Sequence, residues 1–216
     1  MDSVAIEEVG IEAAALRAAA TVEDDGVVLY PTDTLYGLGA DAFSDAAVTR
    51  IFSIKGRAND KPLSAIVTDC AMAARYSDID ERVQKLIELL PRGKVSFVVK
   101  SNHTMQTGIC RNAATFCFRI PDDEFCTALL RYCDRPIVAT SANKSGAVCP
   151  QRIDAIIDQL GVDARGISLA VDAGVLPSRL PSTVIDCTRH SIRVLREGAL
   201  RTADLMHVLR VIDARV

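Results

Sequence analysis

Thr115-Phe116-Cys117-Phe118-Arg119-Ile120 reads as a β-strand with two unlike faces. Side chains alternate across a strand, so Phe116, Phe118 and Ile120 share one face and Thr115, Cys117 and Arg119 the other. The first face is core. The second carries a hydroxyl and a guanidinium, which fits a solvated outer face or the wall of a cleft. Working outward, Phe125, Ala128, Leu129 and Tyr132 recur at helical spacing, and 137–140 reads as the next strand. Upstream, Val83, Leu86, Ile87 and Leu90 define a helix over 80–90 that Pro91 stops. Downstream, Ile153, Ile156, Ile157 and Leu160 repeat the pattern, with Gly161 as its stop. An Ala-rich helix is predicted over 11–22, one N-capped by Ser44 and carrying Val48, Ile51 and Phe52, and a last one near 202–210. Strands are predicted at 27–30, 63–67, 95–99, 115–120, 137–140, 167–171, 182–187 and 192–195. They do not alternate with helices one for one, so the expected fold is α/β with a mixed sheet.

The 216 residues are 49% hydrophobic and 25% charged, which excludes a disordered chain, a fibre and a disulfide miniprotein. That length favours one compact domain over two small ones. A net charge of −3 offers no global positive field for nucleic acid, although a local basic patch is allowed. Trp is absent and aromatics make up 5%, which weakens a base-stacking platform. Seven cysteines are scattered without a CxxC pair, so neither a zinc knuckle nor a thioredoxin site is written here. Such thiols, after an N-terminus bearing Asp2, Glu7, Glu8 and Glu12, are expected of a cytoplasmic chain. No apolar run reaches the length of a membrane span. His103, His190 and His207 are too dispersed to make a metal site.

Three segments carry chemistry. Pro31-Thr32-Asp33-Thr34-Leu35-Tyr36-Gly37-Leu38-Gly39 follows a buried strand, where open sheets often bind ligands. Its Gly37-to-Ala42 stretch matches the G-x-G-x-x-A of dinucleotide binders weakly, because helical sequence starts only at Ser44; a tight turn is the simpler reading. Lys55-Gly56-Arg57 with Lys61 places three cations at a helix end and in the loop after it, where Gly56 ends the helix and Pro62 stiffens the exit. That set suits several phosphate or carboxylate oxygens, or merely a helix C-terminus. Ser141-Ala142-Asn143-Lys144 offers hydroxyl and amide donors at a strand exit, or a capped turn; the companion motifs of an acyl-enzyme S-x-x-K are missing. The acidic pairs Asp24-Asp25 and Asp122-Asp123 read as solvated turns. Together these residues describe an anion-binding α/β protein with a cleft built from loops.

The order of these segments resembles the YrdC family of L-threonylcarbamoyladenylate synthases. The resemblance rests on PTDTLYGLGADAF at 31–43, KGRANDKPL at 55–63, TFCFRIP at 115–121, TSANKSG at 140–146, PSTVID at 181–186 and VLREG at 194–198. It covers roughly residues 20–200 and implies a single YrdC-like domain over 1–216, in the short form, with a twisted sheet and an open, concave, basic cleft. It further implies synthesis of threonylcarbamoyladenylate from L-threonine, bicarbonate or CO2 and ATP, with pyrophosphate released. The product would pass to the tRNA threonylcarbamoyl transferase machinery for modification of adenosine 37. By resemblance Lys55 and Arg57 are catalytic. Arg57, Lys61, Thr115, Ser141, Asn143 and Arg196 bind ATP, and Thr34, Arg119 and Ser182 bind threonine. Mg2+ would be held mainly by ATP and water, with no protein metal ligand. Where the family usually reads Pro-Gly-Pro-hydrophobic-Thr, this chain has Pro91-Arg92-Gly93-Lys94-Val95-Ser96. The alternative reading from another class is a YrdC-like module that contacts tRNA or double-stranded RNA without synthase activity.

Overall fold

A computed structural model describes residues 1–57, 62–111 and 113–213. The strands are β1 (Asp2–Ala5), β2 (Val28–Tyr30), β3 (Gly37–Gly39), β4 (Ser64–Ile66), β5 (Ser77–Asp78), β6 (Val95–Ser101), β7 (Thr115–Arg119), β8 (Ile137–Ser141), β9 (Leu169–Asp172), β10 (Thr183–Asp186) and β11 (Arg193–Arg196). The helices are α1 (Ile6–Glu23), α2 (Asp45–Lys55), α3 (Cys70–Ala74), α4 (Glu81–Leu89), α5 (Glu124–Cys133), α6 (Ile153–Leu160) and α7 (Thr202–Asp213). The strands form a mixed sheet in the order β1-β9-β2-β3-β8-β4-β7-β6-β10-β11, with β5 on the end of β6. Pairs β1/β9, β2/β9, β4/β7 and β6/β10 run parallel and the others antiparallel.

Helix ends follow the local chemistry. Ser44 Oγ accepts from the Ala47 amide at 3.1 Å, and Gly56 closes α2 in the left-handed region at φ 55°. Asp80 caps α4 and Asp123 caps α5, each by accepting an amide hydrogen bond of 2.8 Å. Asp123 is therefore a helix cap and not a solvated turn. The helix predicted from residue 11 starts at Ile6, because two helical pieces join across Gly10 at φ 80°. Past Gly161 the chain continues as a 3-10 helix to Gly166.

The largest correction concerns Gly37–Gly39, which is neither a turn nor a dinucleotide loop. It is β3, antiparallel to β2 and β8, and the next helix begins only at Asp45. A Cβ on Gly39 would meet the Tyr30 ring at 2.6 Å, so the glycine answers close packing across the sheet.

Each sheet face carries its own core. On one, Leu29, Leu38, Phe97, Phe116 and Phe118 pack with Ile51 of α2 and Leu86 of α4. Phe118 stacks on Phe97 and Phe116 at 5.5 and 5.7 Å between ring centres. On the other, α1 and α5 cover Val28, Tyr30, Ile66 and Ile137. Register carries this second face onward. Ile137 pairs with Ile66, Ile66 with Arg119, Arg119 with Ser96, and Ser96 with Val184. The isoleucines lie under α1 and α5, whereas Arg119, Ser96 and Val184 lie beyond them and face a cavity. The polar face of β7 is thus a cleft wall and not a solvated surface.

Candidate active site

The cavity has a volume of about 800 Å³ and is lined by strand and loop residues, none of them helical. Among the described residues, four arginines border it (Arg57, Arg119, Arg179 and Arg196), and no carboxylate does. Among the described residues, it also brings together Thr34, Thr115, Ser141, Asn143 and Ser182 from four separate stretches of sequence. Lys61 lies outside the described residues.

Lys55 sits differently from a phosphate-facing cation. It is 3% exposed and is not among the residues lining the cavity. Its ammonium donates to the carbonyl oxygens of Ser141 and of Asn143 (3.0 Å), and to Asn143 Oδ1 (3.2 Å). Three donors meet three acceptors, so Lys55 ties α2 to the loop after β8. Burial, helped by the charge of Arg57, lowers its pKa to about 8. Asn143 is equally occupied: Oδ1 also accepts from Ser141 Oγ, and Nδ2 donates to the Lys144 carbonyl at 2.9 Å and to that of Ala147. Lys55 and Asn143 together fix the shape of residues 141–147.

Arg57 faces the cavity with capacity to spare. Nη2 donates to the Pro62 carbonyl at 2.8 Å, while Nε is buried with no hydrogen-bond partner among the described residues. A buried donor left unpaired costs about 1–3 kcal/mol, which an anionic ligand would recover. Burial also lowers the Arg57 pKa below the usual value for arginine. Arg119 is 6% exposed; its Nη1 pairs with Asp33 and donates to the Gly93 carbonyl at 3.1 Å. Arg196 Nη2 donates to the Ser182 carbonyl at 2.7 Å, and Ser182 Oγ lies 2.8 Å from Ser96 Oγ. Thr34 Oγ1 is 3.1 Å from Thr32 Oγ1.

Several lining residues are given no role by the sequence. Arg179 is exposed on the segment after β9 and reaches the Asp33 carbonyl at 2.7 Å. Tyr36 Oη donates to the Gly174 carbonyl at 2.8 Å and accepts from the Ala173 amide at 2.9 Å, pinning the start of that segment. Desolvation pushes its hydroxyl up to about 12. Ser96 was identifiable only as the last residue of a departing motif. Cys149 also lines the cavity, with burial raising its thiol pKa.

Among the described residues the wall offers guanidinium and hydroxyl groups and no carboxylate, a donor set whose chemistry suits an anion with several oxygens. A profile of the Sua5, YciO and YrdC family, described as telomere recombination, matches residues 20–198. The chain belongs to this family. A putative threonylcarbamoyl-AMP synthase of Mycobacterium leprae is 31% identical over 91% of this chain and 88% of that protein. The threonylcarbamoyl-AMP synthase of Pyrococcus abyssi is 31% identical over 89% of this chain, which spans 56% of that longer protein. The crystal structure of P. abyssi Sua5 complexed with L-threonine superposes with a TM-score of 0.83 at 30% identity, over 96% of this chain and 60% of that one. E. coli YciO superposes at 0.79 with 25% identity, over 89% and 93% of the two chains. The three chemistry-bearing segments quoted above (31–43, 55–63 and 140–146) fall inside the family match.

Proposed function

We propose that this chain is an L-threonylcarbamoyladenylate synthase of the Sua5–YciO–YrdC family. The amine of L-threonine loses a proton and adds to CO2, supplied as bicarbonate, to give a carbamate. A carbamate oxygen attacks the α-phosphorus of ATP, the bond to the β-phosphate oxygen breaks, and pyrophosphate leaves. Negative charge concentrates on the α-phosphoryl group, so fixed cations are the main source of acceleration.

In this reading Arg57, with its unpartnered Nε, stabilises the phosphoryl oxygens. Thr115, Ser141 and Arg196 contact ATP, with Lys61 added from outside the described residues. Arg119 takes the threonine carboxylate beside Thr34 and Ser182. Lys55 and Asn143 act by shaping the loop that offers Ser141. With no carboxylate on the cavity wall among the described residues, Mg2+ would take its ligands mainly from the phosphates and water. The product would be consumed by a transferase that acts on adenosine 37 of tRNA. A cytoplasmic location and a single-domain organisation belong to the same proposal. Among the described residues, no helix is long and apolar enough to cross a membrane.

The observation that carries this reading is the unpartnered Arg57 nitrogen beside a cavity ringed by arginines, in a chain most of whose length matches named threonylcarbamoyl-AMP synthases. Pyrophosphate release from ATP should require both threonine and bicarbonate. Release that ignores either one defeats the proposal, and tight RNA binding without any release would favour the RNA module.

A further inference from the structure

We infer that Asp33 is the positioning residue of the cleft, holding two of its four arginines through two different groups. Its carboxylate pairs with Nη1 of Arg119, and its backbone carbonyl accepts from Nη1 of Arg179 at 2.7 Å. Asp33 itself does not line the cavity, whereas both arginines do. It therefore acts through them and not on a substrate.

The carboxylate is fully committed. Oδ1 meets Arg119, and Oδ2 accepts from the Asp122 amide at 3.0 Å. Its side chain is 7% exposed and that of Arg119 8%, so the pair is shielded from water and weakly screened. Gly93 closes the third side. Its carbonyl accepts from Arg119 at 3.1 Å, and its amide donates to the Ile120 carbonyl at 2.8 Å. Gly93 lies at φ 75°, and a Cβ there would overlap Asp33 Oδ2. The segment that departs from the usual family pattern is thus clamped onto this pair by its one retained glycine. With Nη1 held by Asp33 and Gly93, the guanidinium plane is fixed. Nε and Nη2 have no protein partner among the described residues and remain for a carboxylate in the cavity.

Asparagine at 33 keeps the size and the backbone carbonyl but supplies one side-chain acceptor where two donors point. Whichever way the amide turns, its NH2 group faces either Arg119 or the Asp122 amide. The inference rests on the proposed threonine site at Arg119, and the test separates the two. Wild type, Asp33→Asn, Arg119→Gln and the double variant are assayed for threonine- and bicarbonate-dependent pyrophosphate release, with thermal unfolding alongside. In Asp33→Asn the KM for threonine should rise about 10- to 100-fold, the range for losing a group that orients a ligand-contacting side chain. The KM for ATP should move less than about threefold. The double variant should be no worse than Arg119→Gln alone, because Asp33 acts through Arg119.

A wild type that releases pyrophosphate without regard to threonine removes the substrate reading. An active, threonine-dependent wild type with an unchanged KM in Asp33→Asn removes the positioning role alone. Additive losses in the double variant do the same. Should Asp33→Asn fail to unfold cooperatively, Asp33→Ser, which leaves room for a water at the acceptor site, takes its place. If both lose the fold, Asp33 belongs to stability and the inference is overturned.

Discussion

Replacing Lys55 by methionine separates a strut from a phosphate contact. The substitution keeps an unbranched side chain of similar bulk in a site that is 3% exposed. It removes three charge-assisted donors, those to the Ser141 carbonyl, the Asn143 carbonyl and Asn143 Oδ1. The acceptors are not equally harmed. Ser141 O still receives the Asn143 amide at 3.0 Å, and Asn143 Oδ1 still receives Ser141 Oγ. The Asn143 carbonyl is the one stranded, at about 1–3 kcal/mol. Against this stands the burial of the ammonium. A pKa lowered from 10.5 to about 8 corresponds to roughly 3 kcal/mol of cost to the charged form at neutral pH. The two largely offset, so global stability should change by less than about 2 kcal/mol. The loop, however, loses its side-chain anchor to α2 and keeps only the Ser145 amide on the Lys55 carbonyl. Its local opening should become easier by about 2 kcal/mol, or roughly thirtyfold. Hydrogen exchange of the Asn143, Ser145 and Ala147 amides, each bonded within the loop or to α2, reads this without ligand. Faster exchange in the free protein, with activity lost and the fold retained, is the expected result. Unchanged exchange in the free protein combined with lost ATP affinity would make Lys55 a direct phosphate ligand and refute the strut.

Arg57→Ala should leave the fold intact and lower kcat about 10²–10³-fold, or about 2.7–4 kcal/mol, as expected for a lost transition-state charge partner; turnover near wild type in a folded variant removes the residue from the mechanism. For pH, the folded-state pKa of Lys55 is lowered to about 8, so as pH rises the folded protein sheds this proton before the unfolded chain does. Its contribution to stability is therefore lowest below about pH 8 and rises towards pH 10.5; denaturant midpoints of wild type relative to Lys55→Met should climb over that window, and parallel curves would contradict the shift. Among amino acids, threonine should be used best and serine second, with valine no better than serine, each replacement costing about 1–3 kcal/mol through an unpaired polar partner or a lost methyl contact. Equal rates of bicarbonate-dependent pyrophosphate release for all three would defeat the threonine site.

How much the sequence disclosed depends on the range of the interactions involved. Period-two alternation in β7 correctly separated Phe116 and Phe118 from Cys117 and Arg119, because adjacent residues alone decide it. Caps at Ser44 and Gly56 were readable for the same reason. Gly37–Gly39 was misread because nothing local marks it as a strand. Its pairing partners, Tyr30 and Ser141, lie in β2 and β8, and the glycines suit a turn equally well until the Tyr30 ring is in place. Motifs point to Thr34, Arg57, Thr115, Arg119, Ser141, Asn143, Ser182 and Arg196, which the fold brings to one cavity. The division of labour within it was not visible, because that depends on which side chain is spent on protein. Lys55 and Arg57 are two residues apart and chemically alike. One is consumed by carbonyl oxygens of the loop after β8, and the other keeps an unpartnered nitrogen. Arg179 illustrates the opposite limit, since only the tertiary contact to Asp33, 146 residues away, brings it to the cleft.

The way the four arginines are anchored explains how a chain of net charge −3 can hold several guanidinium groups around one cavity. Arg57, Arg179 and Arg196 are tethered to the carbonyl oxygens of Pro62, Asp33 and Ser182. A carbonyl dipole orients a guanidinium without neutralising it, so its full charge stays available to a ligand. These three are half-buried or exposed, and water moderates their mutual repulsion. Arg119 is buried, and an isolated charge at that depth would carry a desolvation penalty of several kcal/mol. Among the described residues it is also the one cleft arginine matched with a carboxylate, and that carboxylate lies outside the cavity lining. A carboxylate on the cavity wall would have satisfied Arg119 as well, but it would have repelled the anion proposed to bind there. Placing Asp33 outside the wall resolves both requirements, and it ties Arg119, the arginine proposed to meet threonine, to the same segment that fixes Arg179.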